Sequence, residues 1–167
     1  AGAFTLSENG LYTREAWHIF LDRLTPTGVI SVSRWFSQGQ ASETSRLIAL
    51  AVAALVDRGA AAPLQHMALV ARGNVATLMV SPTPLSAADL DRIDAACAAR
   101  GFTVLASSRV PAADARLNAI LASTSSAGLE LAATDATFDY QPPTDARPFF
   151  FNMLKPRAWL AGMVSTD

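Results

Sequence analysis

Two short stretches of this 167-residue chain gather side chains able to do chemistry. Residues 5–15, T-L-S-E-N-G-L-Y-T-R-E, set the carboxylate of Glu8, the amide of Asn9 and the phenol of Tyr12 just ahead of a helix start. Such a loop can hold a polar substrate; the same residues would serve equally well to cap and pack the helix. Residues 142–151, P-P-T-D-A-R-P-F-F-F, join a stiff turn to an Asp and an Arg two apart and an aromatic cluster. Asp145 is expected to cap that turn and the phenylalanines to anchor the tail. Elsewhere the candidates are isolated. His18 and His66 could each act as a base, although an imidazole standing alone is more often structural. Cys97, flanked by alanines on an inward helix face, has the setting of an inert packing thiol. Asp89, Asp91 and Asp94 alternate with Arg92 as in a solvated helix face.

Several chemistries are excluded. The nine glycines stand at least eight residues apart, so neither a dinucleotide-binding turn nor a Walker-type loop can be drawn. Lys155 is the single lysine, which further weakens phosphoryl transfer. With one cysteine the chain can form no internal disulfide and no thiolate metal site, which suits a reducing compartment. The 13 basic and 14 acidic residues leave a net charge of -1 without a basic stripe, arguing against nucleic acid as a partner. The longest strongly apolar run, Leu47 to Val56, is about half of a bilayer span and reads as a buried helix. Residues 1–10 show no signal-peptide pattern, and the start is expected to be a cut inside a longer protein.

The elements that must position these groups follow from periodicity. Apolar residues make 51% of the chain, 33 of them alanine, enough for one core and one domain over 1–167. Thr13 caps an expected helix over 14–24, and the β-branched run Val29–Trp35 reads as a strand. Ser42 caps a second, broadly apolar helix ending at Gly59. His66–Ala71 and Val75–Ser81, separated by Arg72-Gly73-Asn74, form a hairpin. Ser86, with Asp89 three residues on, opens a third helix that runs to Arg100-Gly101. Phe102–Ala106 is a fourth strand, Asp114–Ala122 a helix and Ser123–Gly128 a loop.

The stretch Leu6 to Phe36, containing S-E-N-G-L-Y-T-R-E-A and L-T-P-T-G-V-I-S-V-S-R-W-F, resembles the spermidine synthase-like (polyamine aminopropyltransferase) family after its fourth strand. It is especially similar to the bacterial branch in which that domain is joined to membrane-spanning segments. The tail T-D-A-R-P-F-F-F resembles the branch's closing T-D-D-R-P-F, with Ala146 replacing the second aspartate. The resemblance implies an α/β chain, the C-terminal part of a Rossmann-like S-adenosylmethionine-dependent methyltransferase fold. Its fifth, sixth and seventh strands would be Val29–Arg34, Met67–Ala71 and Ala76–Ser81, with one extra strand. The family's Gly-rich turn, ribose-binding acid and catalytic aspartate would lie before Ala1. The resemblance therefore implies no catalytic or cofactor-binding residue here, and S-adenosylmethionine or its decarboxylated form would belong to the parent. Substrate-side residues would be Glu8, Asn9, Leu11 and Tyr12 in the loop, with Arg34 and Trp35 at the end of the first strand. The implied reaction is aminopropyl or methyl transfer to an amine. The implied setting is a cytoplasmic segment of a parent anchored in the bacterial inner membrane.

A ferredoxin-like βαββαβ module, acting by ligand sensing or self-association, is the alternative. Both folds place strand 76–80 between strands 29–33 and 67–71, antiparallel to each. They differ over Phe102–Ala106, which pairs with strand 29–33 in the ferredoxin-like order. In the transferase it lies beyond strand 67–71, with its helix on the opposite sheet face. The transferase order leaves the edge at Val29–Ser33 open and predicts self-association through it.

Overall fold

A computed structural model describes residues 9–37 and 43–155, so Glu8 and the Ser42 cap lie outside the described residues. The chain is a mixed α/β structure built on a four-stranded sheet. Helix α1 (Arg14–Arg23) opens as its sequence requires, with the Ala16 amide donating to Thr13 Oγ1 at 3.2 Å. Strand β1 (Ile30–Trp35) leads to α2 (Glu43–Asp57), whose residues from Arg46 to Leu55 are all buried. A 3-10 turn over Pro63–His66 precedes β2 (Met67–Arg72) and β3 (Val75–Val80). His66 thus stands in the turn and not in the strand, its Nδ1 3.3 Å from the Ser81 carbonyl.

Arg72 pairs with Val75, leaving Gly73 and Asn74 as a two-residue turn. Only Gly73 has a positive φ, 56°, the form in which glycine takes the first central position. Helix α3 (Ala87–Arg100) carries the reciprocal Ser86–Asp89 capping box and ends on Gly101 at φ 70°. Strand β4 (Thr103–Ala106) and helices α4 (Ala115–Leu121) and α5 (Ser126–Ala132) follow. Helix α5 corrects the loop expected at Ser123–Gly128. The Gly128 amide donates to Ser125 Oγ at 3.1 Å, and Leu129 is buried in the core, so one cap and one anchor outweigh a Ser/Gly-rich composition.

The sheet order is β1-β3-β2-β4, with every ladder antiparallel. Strands β1 and β2 therefore run in one direction with β3 reversed between them, as both candidate folds require. Strand β4 pairs with β2 through Val70↔Val104, which overturns the ferredoxin-like alternative and its β4–β1 pairing. Taken by itself, the sheet is also not the parallel one of a complete Rossmann-like domain. Helix α2 covers one face, over Leu69, Leu78 and Val80, with α1, α4 and α5 around it. The alternate residues Ala68 and Val70, like Leu90 and Cys97 of α3, are buried outside that cluster, which sets α3 on the opposite face. The same opposite face is open near β1, where Ser31, Ser33 and Trp35 are exposed.

Candidate functional site

A cavity of about 480 Å³ lies at the end of β1, within the range of small-molecule sites. It brings together four of the residues singled out in the sequence, Leu11 and Tyr12 from the loop, Arg34 and Trp35 from the strand. Glu43 and Phe151 complete it, with Ser33 and Val75 on the sheet. Asn9 is described but does not line it; its backbone carbonyl accepts from the Tyr12 amide at 3.0 Å and shapes the loop.

Each wall has a local cause. Trp35 is the last residue of β1, paired with Val75, so Arg34 and Trp35 must leave the strand on opposite faces. Thr44 Oγ1 donates to the Trp35 carbonyl at 2.9 Å, tying the start of α2, and with it Glu43, to the strand end. The two sequence stretches that gather polar groups also pack on each other. Tyr12 stacks on Phe150 with ring centroids 4.5 Å apart and meets Phe151 edge-on at 5.8 Å. The Arg14 amide donates to the Pro143 carbonyl at 3.0 Å, and the Asp145 amide to Glu15 Oε2 at 3.0 Å. The carboxylate bound at this turn is therefore that of Glu15, not the Asp145 cap expected from sequence. Of the three phenylalanines, Phe150 alone is fully buried; Phe149 and Phe151 stay exposed.

Arg34 is the cavity's charged centre. Its guanidinium carbon lies 4.5 Å from the Tyr12 ring centroid and 5.6 Å from that of Phe151, and its Nε is 3.9 Å from Glu43 Oε2. Arg34 Nε is buried without a hydrogen-bond partner among the described residues. Leu11, Trp35, Val75 and Phe151 form an exposed apolar rim around this polar floor. Glu43 was missed in sequence because a carboxylate in a first helical turn ordinarily signals only the helix dipole.

The remaining candidates are structural. His18 Nε2 lies 3.1 Å from Asp57 Oδ2, beside the Arg14–Asp57 ion pair that joins α1 to α2. Arg58 and Asp22 form a second link between this corner and α1. Burial, and then the charge of Asp94, raise the Cys97 thiol above its ordinary range, away from a reactive thiolate. Arg109 bridges Asp91 and Asp94, and Asp89 holds Ser86, so the acidic face is spent on ion pairs and the cap. Among the described residues no group of three or more His, Cys, Asp or Glu could hold a metal ion, and no helix is long and apolar enough to cross a membrane. Comparisons with protein-family models, curated proteins and solved structures give no match to this chain.

Proposed function

We propose that the chain is the C-terminal part of a spermidine synthase-like, S-adenosylmethionine-type transferase domain of a longer polypeptide, inactive alone and supplying a substrate-side loop and half the scaffold. The observation that carries this reading is the meeting of Leu11 and Tyr12 with Arg34 and Trp35 around one cavity at the carboxyl end of a strand, where open α/β sheets bind ligands. The strand order supports it, since β3 lies between β1 and β2 as the seventh strand lies between fifth and sixth. The residues present do not fit an adenosyl ligand: the glycines are scattered and, among the described residues, Glu43 is the one acid lining the cavity. In this reading the seat for S-adenosylmethionine or its decarboxylated form belongs to the rest of the parent. What these residues do is position: the aromatic rim holds the apolar body of a substrate, and Glu43 is the group an amine would approach.

A second reading, a self-associating or ligand-sensing module, is favoured by the open side of β1, which has a neighbour only in β3 among the described strands. Calorimetry on the 167-residue chain tests the first reading. With S-adenosylmethionine or its decarboxylated form at millimolar concentration, no saturable heat is expected. A micromolar dissociation constant would overturn the assignment as an incomplete transferase.

A further inference from the structure

We propose that a second cavity, between the start of α2 and the C-terminal segment, is a binding site for a small organic oxyanion with an apolar body. It measures about 840 Å³ and its wall carries Arg46, Arg147 and Lys155 against Asp135 and Asp139. Both carboxylates are already committed. Asp139 Oδ1 accepts the Gln141 amide at 3.0 Å and Oδ2 faces Arg46 at 3.3 Å. Asp135 Oδ1 accepts the Thr137 and Phe138 amides at 2.8 Å, and Oδ2 pairs with Arg116 at 2.7 Å.

The cations are not all committed in return. Lys155 Nζ donates to the neutral carbonyl of Asp135 at 2.6 Å, so its charge has no ion-pair partner among the described residues. Arg147 makes no side-chain hydrogen bond or ion pair among the described residues, although its backbone amide is held by the Thr144 carbonyl at 2.8 Å. Pairing Arg46 with Asp139 and Arg116 with Asp135 therefore leaves two positive charges facing one concave space. Burial holds the Arg46 guanidinium below its ordinary basicity; Asp139 opposes this and the like charge of Arg147 adds to it. Like charges gathered in a cavity are relieved by an anion, and guanidinium is the group best matched to carboxylate or phosphate oxygens. The partner's apolar body follows from Phe149 and Leu154, exposed large side chains on the same wall.

The test is calorimetry on the full chain at low ionic strength, with phenyl phosphate and benzoate as the two oxyanion probes and benzylamine as the charge-reversed control. At least one oxyanion should bind saturably, and the preferred one tells phosphate from carboxylate recognition. Arg147→Gln should weaken it about tenfold, the effect of losing one charge-assisted contact. Lys155→Gln should act in the same direction, and added salt should weaken binding in the native chain. Because Arg147 is exposed and bonds no other side chain among the described residues, its variant should keep the native far-ultraviolet spectrum and remain a fair test even if Lys155→Gln loosens the segment. Absence of saturable binding by both oxyanions, unchanged affinity in Arg147→Gln, or equal binding of benzylamine would each overturn the proposal.

Discussion

Replacing Arg46 by Met would keep most of the buried stem and remove the guanidinium. That group donates to the carbonyls of Gln141, Phe149, Phe150 and Asn152 at 3.1, 2.8, 2.9 and 3.0 Å, and faces Asp139 Oδ2 at 3.3 Å. The side chain is only 4% exposed, yet its acceptors all lie in a segment closed on itself by the Phe138↔Leu154 bridge. An unsatisfied buried acceptor costs about 1–3 kcal/mol, but a sum over four carbonyls overshoots, because a loosened segment regains water at its part-buried positions. Breaking one partner out of a buried charged arrangement costs about 3–5 kcal/mol, and we expect Arg46→Met to fall there. Against a total stability of about 5–15 kcal/mol, that loss should move the urea midpoint by about 2 M. Trp17, buried between α1 and the core, supplies the fluorescence signal. Arg46→Lys should recover only part of the loss, since an ammonium cannot reproduce the planar fork. Hydrogen exchange should show residues 139–152 losing protection ahead of β2 and β3. A midpoint shift below about 0.5 M, equivalent to under about 1 kcal/mol, would refute the reasoning.

Three further outcomes are expected. Burial opposes ionisation of Asp57, but hydrogen bonds and charge from Arg14 and His18 outweigh it and hold the carboxyl below its ordinary range. Its contribution, about 1 kcal/mol for a partly exposed pair, should be full above about pH 4 and disappear as pH falls through the lower folded-state value. The stability difference between native and Asp57→Asn chains should therefore shrink in acid, and a difference independent of pH would contradict the assignment. Gly101→Ala meets no steric obstacle but places a side chain at φ 70°, so a loss of about 1–2 kcal/mol should appear in thermal melts; no loss would show that the cap relaxes. Finally, light scattering should show concentration-dependent association that Ser31→Lys suppresses, since a charge on an edge strand opposes pairing; a strict monomer would reject association through β1.

The hairpin, the Ser86 capping box and the position of β3 were legible because each rests on residues adjacent in sequence or on a rule of connection. The place of β4 was not fixed by pattern: handedness permits either edge, and only the family resemblance favoured the one observed. Four of the six substrate-side residues implied by the family resemblance line one cavity, although the loop and the strand end lie far apart in sequence. Arg46 was invisible as a structural centre. Its acceptors are main-chain carbonyls 95 to 106 residues away, and no side-chain pattern marks a carbonyl. Glu15 takes the place expected of Asp145 for a related reason, since a turn amide takes whichever carboxylate tertiary packing brings near.

The cavity at Arg34 stands on an edge strand of the sheet. Strands β2 and β3 form from adjacent residues and are flanked on both sides, whereas β1 joins β3 across more than forty residues and has one ladder. In terms of local opening, the centre of the sheet should carry the slowest amide exchange, and β1 should be released with a smaller free energy than global unfolding requires. The loop around Tyr12 and the aromatic tail rest on that same strand end, so all three walls would open as one cooperative unit. Whatever occupies the open side of β1 would then do more than bury an edge. By raising the opening free energy of this unit it would set the fraction of molecules in which the cavity exists, coupling assembly at the edge to occupancy at the site through population alone.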